Sequence, residues 1–161
     1  MPRIFVALGS NIDPQRRMRQ AAGLLRQYFP DIVFSPCFGN PAVGFDGADF
    51  VNAVAHFDAT LAVPEVQAVL HAIEEQCGRQ RGDAKWVPRA MDIDLLLYGA
   101  EVSGTLPRPD LLRRGYMLGP LAALAPELMH PQAGRNMAEL WQELRPQVPV
   151  LRPLLLDLNA E

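Results

Sequence analysis

Residues 4–8, Ile-Phe-Val-Ala-Leu, are a short apolar run ending at Gly9-Ser10-Asn11, the pattern of a buried strand closed by a turn. Asp13-Pro14 then offers an N-cap followed by proline at the first helical position. Met18, Ala21, Ala22, Leu25 and Phe29 follow at helical spacing, and Pro30 ends the run. A second strand is expected over 32–38, leading into a loop over 39–47 whose glycines suit sharp turns. Over 50–57 a period of two puts Phe50, Asn52, Val54 and His56 on one face and Val51, Ala53, Ala55 and Phe57 on the other.

Pro64 opens the next helix, with Val66, Val69, Leu70, Ile73 and Cys77 as its core stripe and Gly78 as its stop. His71, Glu74 and Glu75 lie off that stripe. Residues 79–89 form a polar loop and 91–98 a strand. Residues 110–128 suggest two helical pieces broken at Gly119-Pro120. A last helix begins at Asn136, with Glu139 as its capping-box partner and Met137, Leu140, Trp141 and Leu144 as its buried stripe. Residues 148–151 add an edge strand. The order βαββαβ with a helical tail predicts an α+β fold, a ferredoxin-like sandwich of mostly antiparallel sheet with helices packed on one face.

Composition narrows the function. With 161 residues, 49% of them apolar, the chain has room for one domain, expected over 1–161. The formal charge of −3 implies no basic surface for a nucleic-acid backbone, so no nucleic-acid partner is expected. Fourteen arginines against the single Lys85 favour planar, bidentate binding of phosphate or carboxylate. Cys37 and Cys77 lack metal or disulfide spacing, and no stretch resembles a signal peptide or a membrane span. A cytoplasmic monomer without membrane association is expected.

Residues 79–94 hold the densest chemistry, with Arg79, Arg81, Lys85 and Arg89, the aromatic Trp86, and the carboxylates Asp92 and Asp94. On a strand, Asp92 and Asp94 point to one face while Met91, Ile93 and Leu95 point into the core. Paired carboxylates repel unless a cation neutralises them, and hard oxygen ligands on a rigid strand suit Mg²⁺ together with substrate phosphates. A bare Asp-x-Asp is more often solvated, but the Leu95-Leu96-Leu97 run behind it and the arginines before it favour a site. Trp86 reads equally as a partly buried ring or as a wall stacking on a flat heterocycle.

Four stretches in order carry a resemblance to a known family: Ala7-Leu8-Gly9-Ser10-Asn11; Asp49-Phe50-Val51-Asn52-Ala53; Gly78-Arg79 through Trp86-Val87-Pro88-Arg89 and Asp92-Ile93-Asp94-Leu95-Leu96 to Tyr98-Gly99; and Arg114-Gly115-Tyr116-Met117-Leu118 with Pro120-Leu121 and Ala125-Pro126-Glu127. The chain resembles the 6-hydroxymethyl-7,8-dihydropterin pyrophosphokinases. The resemblance implies diphosphate transfer from ATP to 6-hydroxymethyl-7,8-dihydropterin in folate biosynthesis, giving the pterin diphosphate and AMP. It implies Arg79, Arg89, Asp92 and Asp94 as catalytic residues, with Asp92 and Asp94 binding two Mg²⁺ ions. On the nucleotide side it implies His71, Glu74, Arg81, Leu95, Thr105, Arg108 and Arg114. Around the pterin it implies Asn40, Pro41, Val43, Phe50, Asn52, Trp86 and Tyr116. Two positions depart from the family pattern: Arg108, where a histidine is usual, and Asn40, where a threonine precedes the proline. They keep open a diverged duplicate with a changed substrate. An RNA-binding module is the rival from another class, since ferredoxin-like sheets also present aromatics to bases. The acidic charge and the two carboxylates oppose it.

Overall fold

The computed structural model describes residues 1–42, 46–79 and 90–160. Its elements are β1 (Arg3–Ser10), α1 (Pro14–Tyr28), β2 (Val33–Phe34), β3 (Phe38–Asn40), β4 (Phe50–Asp58), α2 (Val63–Gln76), β5 (Asp92–Tyr98), α3 (Gly115–Leu124), α4 (Met137–Leu144) and β6 (Arg152–Pro153). The strands form one sheet in the order β5-β1-β4-β3-β6, with β2 also on β4, and every pairing is antiparallel. This is the α+β sandwich that the element order predicts.

The strand period sorts the core into two layers. Ile4, Val6 and Leu8 of β1, with Ala53, Ala55 and Phe57 of β4, pack against Met18, Ala21 and Leu25 of α1 and Val66, Leu70 and Ile73 of α2. Their neighbours Phe5, Ala7 and Val54 face the other way, onto Met117, Leu118 and Leu121 of α3 and Met137 of α4. The expectation of helices on one face is therefore corrected: the helical tail covers the second face, because β1 and β4 are apolar on both sides.

Three local expectations change for identifiable reasons. The strand over 32–38 is two short strands, because Pro36 has no N–H to give a ladder. Ser35 substitutes for it, donating its N–H to Val54 O at 2.7 Å and accepting from Val54 N at 2.9 Å through Oγ. Asp13 occupies the N-cap position of α1 in the left-handed region, φ 45°, and accepts from Arg16 Nε at 2.5 Å instead of capping. Pro120 lies inside α3, and the break falls before it, after a 3-10 turn at Pro109–Leu112. Packing overrides propensity here. At Gly119 a Cβ would sit 2.4 Å from Leu151 Cδ1 and 3.1 Å from the Trp141 ring, so α3 is held against the chain that covers it.

Residues 148–151 are not a strand; the short β6 that follows pairs with β3. Beyond it Leu156 and Leu158 are buried, and the Asn159 amide both accepts from Phe34 N and donates to Phe34 O. The N-cap expected at Asn136 is present, its side chain accepting from Glu139 N at 2.9 Å. Among the described residues no helix is long and apolar enough to cross a membrane.

Candidate functional site

The C-terminal end of β1 lies between the start of β5 and the start of β4, and Gly9 pairs with Asp92 on one side and Asn52 on the other. Directly paired residues share a face, so Asp92, Gly9 and Asn52 form one row on the side of the sheet that α3 covers. Having no side chain, Gly9 leaves a gap in that row: a Cβ there would lie 2.6 Å from Asn52 Oδ1 and 3.9 Å from the Phe50 ring.

Asp94 follows Asp92 on the same face of β5. Burial pushes its carboxyl up to about 7, with the Asp92 charge adding and Arg108 and Arg79 opposing. Arg108 Nη2 stands 3.6 Å from Asp94 Oδ1. A bulge explains how Arg108 gets there. The β1–β5 register shifts between Phe5 and Val6, leaving Leu96 as the extra residue, and Leu96 O accepts from Arg108 N at 2.9 Å. That bond draws the segment ending at Arg108 alongside the free edge of β5.

A cavity of about 80 Å³ lies along that edge, lined by Gln67, Leu70 and His71 of α2, Ile93, Asp94 and Leu95 of β5, and Thr105, Leu106 and Arg108. The structure thus brings together His71, Leu95, Thr105 and Arg108, four residues expected on the nucleotide side, with Asp94 at their border.

Arg79 is positioned by the end of α2. Gly78, with φ 99°, turns the chain so that Gly78 N bonds Glu75 O and Arg79 N bonds Glu74 O, a Schellman turn. The turn folds Arg79 back over its own helix, where Nη1 donates to Glu74 Oε2 at 2.8 Å and to Asp92 Oδ1 at 2.6 Å. Glu74 Oε2 also accepts from Ile93 N at 2.8 Å. Helical period alone places Glu74 off the core stripe, yet it is buried. Burial pushes its carboxyl up to about 7, while the bond from Ile93 N and the Arg79 charge hold it down.

On the other side of Gly9, Asn52 and Asn40 are both buried, and Asn52 Nδ2 donates to Asn40 Oδ1. Tyr116 lies in the first turn of α3, whose N-cap is Arg114. Burial pushes its hydroxyl up, Arg114 opposes, and Asp110, Asp94 and Asp92 add to the rise, which places the ring in the field of the carboxylates. Asn11, which as part of a plain turn carried no expected role, donates to Ala48 O at 3.1 Å and ties the chain entering β4 to the end of β1. Val43, Arg81, Trp86 and Arg89 lie outside the described residues.

His130 serves the fold: it is buried, and Nδ1 accepts from Gln132 N and Ala133 N. His56 stacks edge-on against Phe5, with ring centroids 5.4 Å apart. Cys37 and Cys77 are buried free thiols. Among the described residues no group of three or more His, Cys, Asp or Glu gathers as a metal site; the donor set is the aspartate pair, which suits a cation sharing its coordination with substrate phosphates.

Comparison with known proteins identifies the family. The sequence model of the 7,8-dihydro-6-hydroxymethylpterin-pyrophosphokinase (HPPK) family matches residues 5–126. The chain is similar to the 2-amino-4-hydroxy-6-hydroxymethyldihydropteridine pyrophosphokinase of Pseudomonas aeruginosa, 38% identical over 86% of this chain and 89% of that protein. It is similar to the proteins of the same description from Synechocystis, 32% identical over 86% of this chain and 74% of that one, and Bacillus subtilis, 33% identical over 77% and 78%. In fold it is similar to wild-type Plasmodium falciparum HPPK-DHPS in its crystal structure with SDX-DHP, with a TM-score of 0.66 and 11% identity; the match covers 89% of this chain but only 43% of that longer one. With a family model spanning most of its length and relatives above 30% identity across most of both sequences, the chain belongs to the 7,8-dihydro-6-hydroxymethylpterin-pyrophosphokinase family.

Proposed function

We propose that the row Asp92, Gly9, Asn52 is the reaction axis of this pyrophosphokinase, with the triphosphate end of ATP over the aspartates and the pterin against Asn52. As a member of its family the chain transfers diphosphate from ATP to 6-hydroxymethyl-7,8-dihydropterin in folate biosynthesis. The single observation that carries the site assignment is the register: two carboxylates and a side-chain amide stand on one face, two strand spacings or roughly 10 Å apart, with a residue lacking a side chain between them.

The nucleotide takes the cavity at the β5 edge, near His71, Leu95, Thr105 and Arg108, and the expected nucleotide contacts of Arg114 and of the Arg79–Glu74 pair belong to the same reading. The pterin takes the opposite side, against Asn40, Pro41, Phe50, Asn52 and Tyr116. The expected contacts of Arg81, Arg89, Val43 and Trp86 complete the proposal. Asp92 and Asp94 would hold Mg²⁺, two ions in this reading; burial raises Asp94 most, and the repulsion from Asp92 that adds to it is the interaction a divalent cation would relieve. Mg²⁺, when bound, neutralises phosphate charge and makes the β-phosphorus more electrophilic.

Everything else is positioning. The pterin pocket aims the hydroxymethyl oxygen at the β-phosphorus; a bond forms there, the α,β-bridging bond breaks, and AMP leaves with the bridging oxygen. The hydroxyl proton passes to a phosphate oxygen or to Asp94. Arg79 and Arg108 already face the aspartates and are placed to meet charge developing on the transferred group. In this reading residues 1–161 form one domain, and the protein acts in the cytoplasm as a monomer without nucleic acid. Product analysis tests the reaction: AMP should form in equal amount to pterin diphosphate, and accumulation of ADP would overturn it.

Gly9→Ala tests the axis. Its Cβ must displace the Asn52 oxygen, so pterin affinity should fall about tenfold, the size of one buried hydrogen bond, while ATP affinity holds. Equilibrium titration of each substrate measures both. Loss of ATP affinity with pterin affinity intact would reverse the assignment.

A further inference from the structure

An amide side chain can turn either its oxygen or its nitrogen to a ligand, and what fixes the choice is the chain of partners behind it. Behind Asn52 that chain ends on the backbone. Asn40 Nδ2 donates to Pro41 O at 3.0 Å, and Asn40 Oδ1 accepts from Asn52 Nδ2. A carbonyl can only accept, so Asn40 must turn its NH₂ to Pro41 and its oxygen to Asn52. Asn52 must then give its NH₂ to Asn40 and present its oxygen outward. Flipping both amides would set the Asn40 oxygen against the Pro41 oxygen, with both asparagines buried. The outward oxygen is where this predicts, on the Gly9 side and 2.6 Å from the place a Cβ on Gly9 would occupy.

We propose that Asn40 is a positioning residue that locks the Asn52 amide with its oxygen toward the substrate, so that the pocket selects a heterocycle edge carrying an N–H donor. The inference rests on the pterin pocket proposed above and adds the polarity of that pocket and the residue that sets it. A lactam or amino edge satisfies the oxygen; a ring edge offering only lone pairs meets acceptor with acceptor and is rejected.

The test is equilibrium titration of pterin and of ATP into wild type, Asn40→Leu and Asn40→Thr. Leucine removes the relay while keeping the branched shape, whereas the threonine hydroxyl can accept from Asn52 and donate to a carbonyl. Asn40→Leu should lose about tenfold in pterin affinity with ATP affinity unchanged, and Asn40→Thr should stay within about threefold of wild type. The relay is overturned if Asn40→Leu binds pterin as wild type does, or if Asn40→Thr is as weak as Asn40→Leu. Wild type that binds no pterin overturns the pocket itself, and the relay with it. Should Asn40→Leu fail to fold, wild type decides by NMR, with the Asn52 side-chain signals identified as the pair missing from Asn52→Ala. Those N–H protons should exchange slowly with water before pterin is added. Protons that exchange freely and become protected only by pterin would show that the nitrogen, not the oxygen, faces the ligand.

Discussion

Asp94→Asn is expected to abolish diphosphate transfer and, in the same protein, to raise resistance to heat at pH 8. The first effect follows from losing half of the proposed cation-binding pair; at least about a thousandfold in turnover is expected when transition-state charge loses its counter-charge. The second follows from the carboxyl's raised value. An ordinary aspartate titrates at 3.8, whereas burial, with Asp92 beside it, pushes Asp94 up to about 7. For an acid raised in the folded state, ionisation costs stability. That cost is absent below pH 4, grows as pH rises from about 4 to 7, and is complete above 7.

Asparagine carries no charge at any of these pH values, so the melting temperature of Asp94→Asn minus that of wild type should grow across this window and then level off. The Asp94 side chain is 21% exposed and Arg108 is 3.6 Å away, so a gain of about 1 kcal/mol, or 2–4 °C, is expected, well short of the full shift. Thermal melts of both proteins from pH 4 to 9 without Mg²⁺ or nucleotide measure it. Parallel melting curves would discard the electrostatic account. Near wild-type turnover at saturating Mg²⁺ would discard the metal assignment.

What was legible in the sequence was what depends on neighbours along the chain. A period of two placed Asp92 and Asp94 together on one face of β5 and Phe50 with Asn52 on β4. A period of 3.6 placed the α1 and α2 stripes, and Gly78 placed the turn that presents Arg79. The remainder depends on pairing across the chain. No spacing reveals that Asn40 meets Asn52, because that requires the β3–β4 register. Arg108 reaches Asp94 only because a bulge leaves Leu96 to bond its N–H. Helical phase put Glu74 outside the stripe; Ile93 N and Arg79, brought in by β5 and the turn after α2, are what permit a carboxylate to be buried there. The second helical layer was hidden for a similar reason. A proline in mid-pattern signals a break, and only the packing of Trp141 and Leu151 against Gly119 carries α3 through it.

Arg79→Ala separates the structural and chemical roles of that buried network. The guanidinium bonds both Glu74 and Asp92, so its removal strands a carboxylate whose side chain is only 6% exposed and takes a cation from the proposed phosphate site. About 2 kcal/mol of stability should be lost at pH 8, less than for a fully buried pair because Ile93 N still bonds Glu74. The loss depends on pH. Without Arg79 the Glu74 carboxyl rises above its present value of about 7, so relative to wild type its charge adds no cost well below pH 7, where both folded proteins keep the proton, and a growing cost as pH climbs through 7 and beyond. Turnover should fall on the order of a hundredfold or more. Adding Glu74→Gln removes the stranded charge while an amide oxygen still accepts from Ile93 N, so the double mutant should regain most of the stability and none of the turnover. Thermal melts at pH 5 and 8, beside single-turnover kinetics, measure both quantities. A double mutant that recovers turnover along with stability would show that Arg79 serves only the fold. An Arg79→Ala protein equally destabilised at both pH values would show that Glu74 is not the group left behind.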